Sequence, residues 1–170
     1  MMNIPNILTL VRFLLIPGFV YAFFYMTEGN VYAAIIFILS GITDVLDGYI
    51  ARHFNQVTKL GTLLDPLADK LMVLTVLTSL WLKGFIPFFI IGVLAVKELA
   101  MIVGAAFLYR KQKIAIPANA YGKAATFLFY VAIIFSLFRW PYNLFLMILA
   151  LGLALIAFFV YAFEFFKKTI

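Results

Sequence analysis

Six stretches of the chain are apolar almost without interruption, and short polar breaks separate them. They run roughly over 5–26, 31–53, 62–82, 85–109, 121–138 and 141–166, and each is close to the ~20 residues of helix that cross a ~30 Å hydrocarbon core. The breaks hold turn formers: TEGN at 27–30, KG at 83–84, RKQKIAIPAN at 110–119 and RWP at 139–141. This pattern predicts an all-α integral membrane protein with six transmembrane helices, forming a single domain over residues 1–170. The second and third stretches are the weakest, because aspartates interrupt them. Pro66 falls in the first turn that the pattern gives the third helix, where a missing N–H costs little. No internal repeat or low-complexity run is visible.

Composition strengthens the membrane assignment. The chain is 66% hydrophobic and 12% charged, with a mean hydropathy of +1.13. Soluble domains are about half apolar and about a quarter charged, so lipid must solvate most of this surface. There are no cysteines, which excludes disulfides, thiolate metal sites and a cysteine nucleophile. A single histidine, His53, leaves little room for a histidine-based centre; it could touch a phosphate or be an interfacial bystander. MMNIPN lacks the basic n-region and small-residue cleavage site of a secretory signal.

The basic residues set the expected orientation. With the N-terminus inside, the second connection carries Arg52 and Lys59, the fourth Arg110, Lys111 and Lys113, and the tail Lys167 and Lys168. The other side has Lys83 and Arg139. Cytoplasmic loops collect Lys and Arg, so both termini are expected to be cytoplasmic, in a multi-pass protein of the cytoplasmic (inner) membrane. The net charge of +6 is read the same way, as loops facing anionic lipid rather than as nucleic-acid binding.

Four of the seven acidic residues lie in one segment, DVLDGYIARHFNQVTKLGTLLDPLAD, residues 44 to 69. Asp44 and Asp47 are three apart, and Asp65 and Asp69 are four apart; on a helix either spacing puts both side chains on one face. They fall at the end of the second helix and the start of the third, so all four share a depth near the cytoplasmic edge. Like charges in a low-dielectric region are costly unless neutralised. Hard carboxylate oxygens without His or Cys suit Mg²⁺, Mn²⁺ or Ca²⁺, and four of them could hold two ions, as phosphate-transfer sites do. Gly48 and Gly61 clear space for a ligand near the backbone, Arg52 can grip a phosphate with its planar fork, and Thr58 adds a hydroxyl. The structural alternative makes the acids helix caps, or partners of Arg52, Lys59 and Lys70.

The complete spacing is Asp44-x2-Asp47-Gly48-x2-Ala51-Arg52-x8-Gly61-x3-Asp65-x3-Asp69. It resembles the signature of the CDP-alcohol phosphotransferase (phosphatidyltransferase) family at every fixed position. Within that family, the opening NIPNILTLVRFLLIP and the run FNQVTKLGTLLDPLADKLMV look most like bacterial phosphatidylglycerophosphate synthases. The resemblance implies transfer of a phosphatidyl group from CDP-diacylglycerol to an alcohol, with release of CMP. It implies that Asp44, Asp47, Asp65 and Asp69 bind two divalent ions, Mg²⁺ or Mn²⁺, and that Asp69 is also the general base. It places Gly48, Arg52 and Thr58 on the CDP group, with Ala51 and Gly61 giving it room, and Asn6 and Thr9 near the nucleotide. A homodimer is also implied.

The acceptor is less closely defined. Lys97 is a mid-helix cation in an apolar segment; it is either a site residue, an ion-pair partner or a snorkelling side chain, and its neighbour Glu98 is expected to point elsewhere on the helix. Lys123, in YGKAAT, resembles a Gly-Lys-x-x-Thr pattern of glycerophosphate-using relatives. With Arg110, these cations suit an acceptor that carries its own phosphate, such as glycerol 3-phosphate. Phosphatidylglycerophosphate synthases commonly have Arg-Glu where this chain has Lys97-Glu98, and lysine keeps the charge without the fork. Phosphatidylglycerol, as used by cardiolipin synthases, and inositol phosphate remain alternative acceptors. A divalent-cation transporter is the reading from a different class. It expects polar positions in both halves of the membrane and leaves Gly48, Arg52 and Gly61 unexplained.

Overall fold

The computed structural model describes residues 4–54, 59–112 and 120–169. Among them are six helices and no strand: α1 (Ile4–Tyr25), α2 (Gly29–His53), α3 (Lys59–Leu82), α4 (Phe88–Gln112), α5 (Ala120–Leu137) and α6 (Asn143–Thr169). At ~1.5 Å per residue even the 18 residues of α5 span roughly 27 Å. Four of the six are long and apolar enough to cross a membrane: Pro5–Tyr25, Gly29–Ala51, Ala120–Leu137 and Asn143–Phe163. Their outer faces are apolar as well. Leu14, Val45 and Phe127 are 70–73% exposed, which suits lipid contact far better than water.

The helices fall into two compact units, residues 1–83 and 84–170. In the first, α1 packs against both α2 and α3. Its core is Phe19, Ala22 and Phe23 of α1, Ala33, Ala34 and Phe37 of α2, and Met72, Val76, Leu77 and Leu80 of α3. The TEGN break ends at a helix start that glycine makes possible. A Cβ on Gly29 would lie 2.6 Å from the Ala22 carbonyl oxygen, closer than any side chain tolerates. At the far end of α3, the Lys83 ammonium donates to the Phe23 carbonyl and lies 3.9 Å from the Phe23 ring centroid. It satisfies one of the carbonyls left open at the end of α1 and sits where the helix dipole favours a cation.

In the second unit α5 packs along α6, and α4 also meets α6. Ala125, Ala132, Ala150 and Ala154 are buried, and small side chains let helices approach where the hydrophobic effect gives no advantage over lipid. The RWP break closes α5 in a Schellman arrangement. Trp140 N donates to Phe135 O at 2.9 Å, and Arg139 N donates to Ser136 O at 3.2 Å. Arg139 takes the left-handed position, φ 52°, that usually belongs to glycine. Two contacts offset that strain: the Trp140 ring edge on Phe135 at 5.0 Å, and the Arg139 guanidinium over the Phe85 ring at 4.0 Å.

One local expectation is corrected. α3 begins at Lys59, so Pro66 is inside the helix rather than in its first turn. Its missing N–H leaves a carbonyl one turn earlier without its helical partner. The polar residues Lys59 and Thr62 obscured the start of this helix in the hydropathy pattern.

Candidate active site

Three helices of the first unit build one polar cluster. α1 contributes Thr9 and Arg12, one turn apart; α2 contributes Asp44 and Asp47; α3 contributes Asp65. Arg12 Nη1 donates to Asp44 Oδ1 at 2.8 Å and to the Asp65 backbone carbonyl at 3.3 Å, while Nη2 donates to Asp47 Oδ2. The three-residue spacing of the acids matches the planar fork of one guanidinium. The Thr9 hydroxyl lies 3.0 Å from the Pro5 carbonyl and also against Asp65 Oδ1. It has one proton to give, and an ionised carboxylate is the stronger acceptor.

Burial is graded across the cluster. The Arg12 and Asp47 side chains are 0% and 2% exposed, whereas Asp44 is 41% exposed. Asp65 repels both Asp44 and Asp47, and Asp44 repels Asp47, so Arg12 is the counter-charge that lets these acids share a site. A guanidinium buried this completely could not stand alone, and removing one partner of such a pair typically costs about 3–5 kcal/mol. Among the described residues the Arg12 Nε finds no hydrogen-bond partner, so the side chain is oriented by the acids rather than by its own full satisfaction.

The sequence-predicted residues are placed as follows. Asp69 is half-buried one turn after Asp65 on α3, and it has a partner. Gly48 and Ala51 are half-buried on α2 and Gly61 is buried on α3; Asn6 is half-buried on α1. Thr9, expected near the nucleotide, is fully buried and engages Asp65. Thr58 lies outside the described residues, as do the side chains of Arg52 and Arg110. His53 is stacked on Tyr49, with ring centroids 5.5 Å apart. In the second unit Lys97 forms an ion pair with Glu98, so Glu98 does not point away as its helical position suggests. Both side chains are flexible enough to fold back across adjacent positions. Lys123 is exposed in the first turn of α5.

Arg12 is the residue that sequence reasoning missed. The spacing of the acids pointed to Arg52, Lys59 or Lys70 as counter-charges; the cation found on Asp44 and Asp47 comes from another helix. A signal was present. Arg12 is the one charge in the apolar run NILTLVRFLLIP, and a charge there is a functional candidate by default.

The acids suit a hard divalent cation in their chemistry, since every donor is an oxygen. Asp44, Asp47, Asp65 and Asp69 against Arg12 leave three net negative charges (four minus one) if all are ionised. As they stand, no three acids among the described residues are grouped closely enough to hold an ion, and Arg12 occupies the space between the two of α2.

The family model for CDP-alcohol phosphatidyltransferases matches residues 2–159, which takes in both units. A cardiolipin synthase (CMP-forming) of Streptomyces coelicolor is 36% identical over 130 residues, covering 74% of this chain and 60% of that protein. A CDP-diacylglycerol–glycerol-3-phosphate 3-phosphatidyltransferase of Rickettsia bellii is 35% identical over 127 residues, covering 74% of this chain and 70% of that protein. The protein of the same name from Haemophilus influenzae is 49% identical over 76 residues, covering 44% of this chain and 41% of its own length. The chain thus spans about three fifths of the cardiolipin synthase it matches. With the aspartate spacing on α2 and α3 and a match of this extent, the chain belongs to the CDP-alcohol phosphatidyltransferase family.

Proposed function

We propose that this chain moves the phosphatidyl group of CDP-diacylglycerol to the hydroxyl of glycerol 3-phosphate, giving phosphatidylglycerol phosphate and CMP. The observation that carries the reading is the meeting of three signature acids, Asp44 and Asp47 of α2 and Asp65 of α3, with Thr9 and Arg12 of α1. Relatives named for this reaction in Rickettsia bellii and Haemophilus influenzae support the choice of acceptor.

In this reading the acceptor hydroxyl attacks the phosphatidyl phosphorus. A new P–O bond forms, the P–O bond to CMP breaks, and the hydroxyl proton passes to Asp69 as general base. Gly48, Ala51 and Gly61 present little side-chain bulk to the nucleotide, Arg52 and Thr58 meet its phosphates, and Asn6 stands on the neighbouring helix. Thr9 and Arg12 hold Asp65, Asp44 and Asp47 in place. Asp44, Asp47, Asp65 and Asp69 would hold two divalent ions, Mg²⁺ or Mn²⁺, which would supply positive charge to the pyrophosphate and the departing CMP. Lys97, Arg110 and Lys123 are assigned to the phosphate of the acceptor. Six membrane spans with cytoplasmic termini fit this chemistry, because the lipid tails stay in the bilayer while the nucleotide leaves into water.

The similarity to a cardiolipin synthase keeps a second acceptor, phosphatidylglycerol, in view. One assay separates the two. Purified protein is given CDP-diacylglycerol with glycerol 3-phosphate, phosphatidylglycerol or inositol phosphate, and CMP and lipid products are followed. Fast CMP release with glycerol 3-phosphate alone supports the proposal; release with phosphatidylglycerol alone transfers the assignment to cardiolipin synthesis. Chelation is expected to abolish release, and added Mg²⁺ or Mn²⁺ to restore it.

A further inference from the structure

We propose that Arg12 is a positioning residue that stays on the acids while a divalent cation is bound, holding one oxygen of Asp44 and one of Asp47 so that the remaining carboxylate capacity faces the ion. The inference rests on the cation-dependent reading above. Three observations carry it. The guanidinium is 0% exposed, so leaving the acids would strand a buried charge without its counter-charges. Its two Nη atoms take a different acid each, and Nη1 also reaches the backbone carbonyl of Asp65, so one side chain fixes α2 and α3 from α1. The acids are held unequally: Asp47 is buried against Arg12, while Asp44 keeps 41% of its side chain exposed. A carboxylate has about four lone-pair sites, so a single Nη–H on each leaves capacity for a metal.

A simple placeholder would behave in the opposite way. A cation that merely fills the site until a metal arrives competes with it, and its removal tightens metal binding by ordinary electrostatics. A positioning residue loosens metal binding when removed, although the site has become more negative. The sign of the change therefore decides between the two roles.

The test uses full-length protein in detergent and Mn²⁺ titration followed by electron paramagnetic resonance, with helix content checked by circular dichroism. Arg12→Met is expected to weaken Mn²⁺ binding about 10-fold or more, as loss of a group that orients metal ligands does. Arg12→Lys keeps the charge but cannot fork, and is expected to weaken it less. Unchanged or tighter binding in either folded variant overturns the proposal. The unaltered protein gives an independent reading that does not depend on a variant folding. With ¹⁵N-arginine label, the slowly exchanging Nη protons of Arg12 are expected to persist at saturating Mg²⁺, and their loss overturns the proposal. If the unaltered protein binds no Mn²⁺, the cation-dependent reading itself fails, and this inference with it.

Discussion

At the scale of single residues, the graded burial of the acids makes them unequal. Asp47→Asn leaves Arg12 without its most buried partner and is expected to cost about 3 kcal/mol of stability. Asp44→Asn, at a half-exposed position, is expected to cost markedly less; thermal unfolding of the two variants in the same detergent checks the order. Asp69→Asn is expected to abolish CMP release while leaving the melting temperature near that of the unaltered protein. Near-normal turnover would remove Asp69 as the base. The acids were legible in the sequence because helical spacing is a local property: three and four apart means one face. Their counter-charge was not legible in the same way, because Arg12 lies 32 and 35 residues from its two partners and no spacing rule crosses between helices.

At the scale of elements, the helices followed from lipid. A bilayer demands ~20 apolar residues per span and internal satisfaction of every backbone bond, so apolar runs and their breaks fix helices to within a few residues. The turns follow their own rules, which the breaks only hinted at. Gly29 is required by the approach of α2 to the end of α1. Gly29→Ala is expected to destabilise the first unit by roughly 1–3 kcal/mol, because the obstructing atom is a backbone carbonyl that cannot rotate away; a lowered melting temperature checks this. Arg139 shows the limit of sequence reading at a turn. Nothing in RWP announces a left-handed arginine, since the compensating contact with Phe85 comes from residues far earlier in the chain. The same limit applies to Pro66, whose place inside α3 depends on a helix start that polar residues concealed.

At the scale of the whole molecule, the family match runs across both units, from α1 into α6. Lys123→Ala is expected to raise the KM for a phosphorylated acceptor severalfold while leaving the KM for CDP-diacylglycerol nearly unchanged; equal effects on both would make Lys123 structural. The family was legible from eight spaced residues in one segment. The acceptor was not, because its recognition depends on isolated cations such as Lys97, whose ion pair with Glu98 shows that charge alone does not say what a lysine binds.

Two cationic contacts of the first unit, those of Arg12 and Lys83, have a joint consequence. Arg12 joins α1 to the acids, and eleven residues later the Phe23 carbonyl receives Lys83 from the end of α3. Both contacts depend on the same stretch of helix having the right length and phase. Inserting one residue between them advances everything beyond it by ~1.5 Å and turns it by about 100°, so one contact can be kept only by losing the other. The interval from Arg12 to Phe23 therefore works as a gauge. Its side chains can be exchanged among apolar types, but its count of residues cannot change without taking either the acids or the far end of the bundle out of register.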